Sequence, residues 1–113
     1  MFKFLPPPRG IFVSTELIFH DKMDDRLKAT LFRLMSTAWS SPTRTSPPLT
    51  VFDLARLVQL SPHAVRESLA KLHAEYAALS VHNLGDGRLT LSFAEWLYPP
   101  TYRQMDMAAR PAG

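Results

Sequence analysis

LTVFDLARLVQLSPHAVRESLAKL, from Leu49 to Leu72, carries two helix starts in close succession. Thr50 followed three residues later by Asp53 has the form of a capping box, and Leu49 and Leu54 occupy the two positions of a hydrophobic staple. Leu54, Leu57 and Val58 supply an apolar face, so this helix is predicted to end near Gln59. Leu60-Ser61-Pro62 then opens a second one. Ser61 is the N-cap, Pro62 takes the first helical position, where its missing N–H costs nothing, and Leu60 with Val65 forms a second staple. Two helices with almost no linker must cross at a steep angle.

The helix opened by Ser61 has two unlike sides. Advancing about 100° per residue, Val65, Leu69, Leu72 and Tyr76 form a core stripe, whereas His63, Glu67, Ala70 and Ala74 lie opposite, flanked by Arg66 and Lys71. Downstream, LSVHNLGDGRLTLSF (Leu79–Phe93) changes to a period of two. Leu79 and Val81 alternate with Ser80 and His82, and Leu89, Leu91 and Phe93 with Thr90 and Ser92, while Gly85-Asp86-Gly87 supplies turn chemistry. A β-hairpin with one apolar face follows. Upstream, Leu27, Leu31, Leu34, Met35 and Ala38 recur at helical spacing behind Asp24 and Asp25, predicting a first helix over 24–38. Ile11 to Phe19 is rich in β-branched and aromatic residues and predicts a short strand or extended segment.

Proline sets the outer limits. Leu5–Gly10 reads as a proline-rich arm, SSPTRTSPPL (Ser40–Leu49) as a loop, and Pro99–Gly113 as a tail or linker, leaving one domain over 11–98 behind an arm at 1–10. The order helix, loop, helix, tight turn, helix, hairpin resembles the winged helix-turn-helix family. The resemblance spans about Ile11 to Phe93 and rests on LTVFDLARLVQLSPHAVRESLAKL followed by the hairpin. The segment FVSTELIF (Phe12–Phe19) also resembles the N-terminal DNA-binding domains of replication initiators and phage replisome organisers. The fold expected is mainly α, an α+β winged helix: a three-helix core, a C-terminal hairpin wing and a short N-terminal strand.

The resemblance implies a function: sequence-selective binding of double-stranded DNA, in transcription regulation or replication initiation, with the third helix in the major groove and the hairpin on the flanking backbone. It assigns Ser61, His63, Arg66 and Glu67 to the zone nearest the bases. Arg66 can fork onto guanine O6 and N7 or neutralise a phosphate, and Ser61 with the free N–H groups of the first turn can hold a phosphate oxygen. Lys71 would touch the backbone at the groove edge, small Ala70 and Ala74 would admit close approach, and Arg44, Arg56 and Arg88 would reach flanking phosphates. Glu67 opposes this unless it accepts from cytosine N4 or pairs with Lys71 at i,i+4. Between Ser61 and Tyr76 the charges of Arg66, Glu67, Lys71 and Glu75 cancel, so the helix is not a basic one. That balance keeps open the alternative of a winged-helix protein-interaction module in a nucleoprotein assembly.

Composition narrows the remaining classes. A chain of 113 residues with a formal net charge of +3 is mildly basic, and with no cysteine it has neither disulfides, thiolate nucleophile nor sulfur-based metal site. His20, His63, His73 and His82 lack metal-ligand spacing, Gly85-Asp86-Gly87 lacks the Lys of a phosphate loop, and no nucleophile and base are arranged together. Neither an enzyme, a cofactor nor a metal is expected. No apolar run approaches the roughly 18 residues of a membrane span, so a soluble protein is expected; the absence of cysteine fits a cytoplasmic one, and DNA binding would make it nucleoid-associated. Ser36, Ser41, Thr43 and Ser46 crowd the middle loop, where modification would place negative charge beside Arg44. Trp39 and the aromatic residues of FAEWLYPPTY either close the core or form a patch for a second copy or a protein partner. Trp96 is assigned to core closure; Tyr98 and Tyr102 stay open, and dimerisation through the terminal segments fits the two half-sites such proteins commonly read.

Overall fold

The computed structural model describes residues 13–39 and 41–99. The chain runs α1 (Thr15–Ile18), α2 (Asp25–Met35), a 3-10 turn (Ser36–Ala38), β1 (Leu49–Thr50), α3 (Val51–Val58), α4 (Pro62–Ala74), β2 (Leu79–Asn83), β3 (Arg88–Phe93) and a second 3-10 turn (Glu95–Leu97). The architecture is α+β, with the helices on one antiparallel sheet of order β1-β3-β2.

The caps explain where the helices begin. Asp24 Oδ1 accepts from the Leu27 N–H at 2.8 Å and starts α2, which buries Leu27, Leu31, Leu34 and Met35. Thr50 and Asp53 form the full reciprocal capping box of α3, at 3.0 Å in both directions. The helix ends at Gln59, whose φ of 59° is left-handed and turns the chain at once towards Ser61. Ser61 Oγ accepts from the Ala64 N–H at 3.1 Å, Pro62 opens α4, and Val65, Leu69 and Leu72 are buried.

One expectation fails at the N-terminus. Instead of a strand, the segment after Val13 forms the helical turn α1, because Ser14 caps it by accepting from the Leu17 N–H at 3.2 Å and Leu17 plunges into the core. β-Branched content favours a strand only where a neighbouring strand takes up the backbone groups, and here the Ser14 N–H donates to Leu97 O at 2.9 Å in the closing 3-10 turn. Ile11, Phe12 and the arm at 1–10 lie outside the described residues, as does the tail from residue 100.

The hairpin forms as expected, and its register sets Leu79 opposite Phe93, Val81 opposite Leu91 and Asn83 opposite Leu89. Gly85 and Gly87 sit at φ values of 85° and 87°, which a side chain rarely tolerates. The middle segment was expected to be a plain loop, but it pairs along the far side of β3. Leu49 and Thr50 face Leu89 and Arg88, Thr45 bridges Ser92, the Ser46 N–H donates to Leu91 O at 2.8 Å, and the Leu91 N–H returns to Ser46 Oγ at 2.9 Å. The core between helices and sheet is completed by Leu54, Leu91, Phe93, Leu97 and Tyr98.

Candidate functional site

Helix α4 turns its buried stripe inward and leaves His63, Arg66, Glu67, Ala70 and Lys71 exposed. These residues do not act as a single patch. Arg66 and Ala70 face the hairpin, where with Leu69, His73, Val81 and Leu89 they line a mostly apolar cleft of about 370 Å³. Glu67 and Lys71 face the other way, onto a groove shared with Asp24, Arg26 and Thr30 of α2. His63 lies at the exposed start of the helix.

Glu67 keeps the i,i+4 spacing but takes the partner on its N-terminal side. The carboxylate of Glu67 reaches back to His63, with Oε2 at 3.4 Å from Nε2, rather than forward to Lys71. Both partners are well exposed, so this is a weak tie that another anion or cation could replace. Ser61 is exposed, its oxygen engaged by the Ala64 N–H while its hydroxyl hydrogen stays available.

The three flanking arginines stand in different surroundings. Arg56 is exposed on the last turn of α3. Arg44 is half-buried in a left-handed conformation with φ 59°; its Nε donates to Phe93 O at 3.2 Å and its own carbonyl accepts from the Phe93 N–H at 2.9 Å. It therefore helps to bind the middle segment to β3. Arg88 begins β3 beside the hairpin turn, and Asp86 holds it: Nη2 lies 2.7 Å and Nε 2.8 Å from Oδ2, and the Arg88 N–H donates to Oδ1 at 3.0 Å. These bonds, the guanidinium's first, keep the Asp86 carboxyl below its ordinary pKa, and Asp86 in turn raises that of Arg88.

The terminal aromatics are sorted by burial. Tyr98 is only 2% exposed and belongs to the core, so its side chain offers no surface to a partner. Trp96 is half-buried and packs on the core as expected, its Nε1–H donating to Ala77 O at 3.1 Å. Its ring and that of Tyr76 flank His20, at centroid distances of 6.0 and 5.4 Å. Tyr102 lies outside the described residues. Ser46 is 3% exposed with its hydroxyl bonded on both sides, which removes it as a modification site, whereas Ser41 is half-buried and bonded to its loop neighbours.

Two features escaped the sequence reading. The cleft between α4 and β2 could have been sought from Ala70, whose small side chain leaves room beside Val81. Leu84, 45% exposed beside the hairpin turn, and Phe52, 65% exposed in the first turn of α3, put large apolar side chains on the surface. Among the described residues no three His, Asp or Glu side chains are grouped to hold a metal ion, and no helix is long and apolar enough to cross a membrane. No family model, curated protein or solved structure matches this chain.

Proposed function

We propose that the chain is a winged helix-turn-helix reader of double-stranded DNA, with α4 in the major groove and the β2–β3 hairpin as the wing on the flanking backbone. The observation that carries the reading is the outer face of α4. It presents Ser61, His63, Arg66 and Glu67 at the N-terminal end, beside a hairpin that begins its return strand with Arg88. A helix of ordinary diameter fits the roughly 12 Å major groove, and an exposed N-terminal half brings side chains to base edges while first-turn N–H groups meet phosphate. Arg66 is the base reader, Ser61 and Lys71 are backbone contacts, and Arg56 and Arg88 flank the site. Arg44 contributes by shaping the sheet that carries the wing. The work done by such a reader is transcription regulation or replication initiation, and a cytoplasmic, nucleoid-associated location follows from it. The reading assigns no catalysis and no cofactor.

A second reading draws on the cleft between α4 and β2, whose lining by Val51, Leu69, Val81 and Leu89 suits an apolar side chain better than a phosphate. In it the same surface docks onto another protein of a nucleoprotein assembly. Salt separates the two. Labelled random duplex DNA, titrated by fluorescence anisotropy at about 50 and 200 mM salt, should bind at micromolar levels and lose affinity steeply as counterion release is suppressed. An Arg66→Ala, Arg88→Ala double variant should bind much more weakly. Absence of binding at the lower salt overturns the DNA reading and favours the protein-docking one.

A further inference from the structure

Helix α2 covers the core with one side and presents an unusual surface on the other. Asp25, Ala29, Phe32, Arg33 and Ser36 are all exposed and, at about 100° per residue, fall within about 100° of one another. Phe32 is 38% exposed, and Trp39, just beyond the 3-10 turn, is 43% exposed. At the other end the Lys28 ammonium donates to Ile18 O at 2.9 Å, which brings the end of α1 beside α2 and adds Ile18 and Phe19, 44% and 78% exposed. Large apolar side chains exposed on α2 and at its two ends are what a contact surface needs.

The charges on this face indicate its occupant. Asp25 stands at the start of α2 and Arg33 in its last turn, and neither has an ionic partner among the described residues. They are eight residues apart, about 12 Å along the axis, with Ala29 midway. An antiparallel copy of α2 laid on this face with Ala29 on the two-fold axis sets each Asp25 opposite an Arg33, twice over. The small Ala29 side chain lets the axes approach, and the Trp39 end of each copy meets the Ile18 and Phe19 end of the other. We infer that the outer face of α2 is a self-complementary, isologous dimer interface whose partner is a second copy of this chain. This surface is carried by α2 and the end of α1, and none of Asp25, Ala29, Phe32 and Arg33 lines the cleft between α4 and the hairpin. The inference does not depend on the DNA reading.

The test is sedimentation equilibrium of the full chain between about 1 µM and 1 mM, a range that covers dissociation constants of weak and moderate dimers. The wild type should dimerise. Asp25→Arg and Arg33→Asp should each weaken the dimer by about tenfold, because reversal loses two equivalent attractions and replaces them with repulsion. The combined Asp25→Arg, Arg33→Asp exchange should return the affinity to within about threefold, as expected for directly coupled charges. Ala29→Arg, at an exposed position and with a good helix former, should leave the circular dichroism spectrum intact and give monomer throughout. A wild type that is monomeric at every concentration, a dimer indifferent to Ala29→Arg, or a charge exchange that fails to restore association would each overturn the interface.

Discussion

Arg88 and Asp86 are joined across Gly87 by both a side-chain and a backbone contact, at 2.7 Å and 3.0 Å, so the arginine at the hairpin end is already neutralised. A phosphate must compete with that carboxylate for the guanidinium. Asp86→Asn removes the competing charge and should strengthen binding to all duplex sequences and steepen the salt slope by about 1. Arg88→Ala should do the reverse. Anisotropy titrations across salt concentrations check both, and unchanged slopes in the two variants would remove the hairpin from the contact surface.

Arg66 is exposed on α4 where the helix borders the hairpin cleft. Arg66→Ala should relax preference at one base position by about 1 to 3 kcal/mol while other positions keep theirs. Selection from a randomised binding-site library reads this directly. Discrimination equal to wild type at every position would reduce Arg66 to a backbone contact.

The Thr50–Asp53 box makes one helix start sensitive to acid. The backbone N–H of Thr50 and then its hydroxyl interaction hold the Asp53 carboxyl below its ordinary pKa of 3.8. A depressed folded pKa means the ionised form is favoured by folding, so its contribution is complete above about pH 4 to 5 and is lost as pH falls through the lower folded value. Thr50→Ala should cost about 1 kcal/mol at neutral pH. Melting temperatures of wild type and Asp53→Asn should converge as pH falls below 3.8; a gap that stays constant with pH would show that the carboxylate charge is irrelevant.

Ser46 is a buried structural hydroxyl. Its Oγ accepts from the Leu91 N–H, 45 positions away, and donates to Pro47 O. Ser46→Ala leaves a buried N–H without that partner and should destabilise the fold by about 1 to 3 kcal/mol, measured by urea unfolding. Retained stability would mean that water reaches Leu91. Ser46→Cys, with a weaker and bulkier acceptor, should be intermediate.

What the sequence disclosed depended on the range of the interactions. The starts of α2, α3 and α4 were legible because their signals are local: Asp24, Thr50 with Asp53, and Ser61 with Pro62 each act within three residues. The hairpin was legible because alternation and two glycines define it without outside help. β1 was not, since a two-residue strand has no period of its own and exists through pairing with Leu89 and Arg88. Arg44 read as one of several loop cations, although its conformation is fixed by Phe93 at a separation of 49 residues. At α1 the β-branched and aromatic composition pointed to an extended segment, whereas Ser14 caps a helical turn. On α4, Glu67 had rotamers that reach either neighbour on its face; spacing alone does not choose between His63 and Lys71, and the structure has the former.

The sheet has two outer strands of unlike length, β1 of two residues and β2 of five. β1 and the segment around Ser46 occupy one side of β3, and β2 occupies the other as the longer outer strand. Because Ala78 O accepts from Ala94, the next carbonyl, Leu79 O, points away from the hairpin, and His73 Nδ1–H caps it at 3.0 Å. The remaining bare rim extends only over Ser80–Asn83, too short to recruit an extended chain into a growing ribbon. His73 thus covers the first outward-facing acceptor of β2, and a His73→Ala chain would leave Leu79 O open where the strand begins.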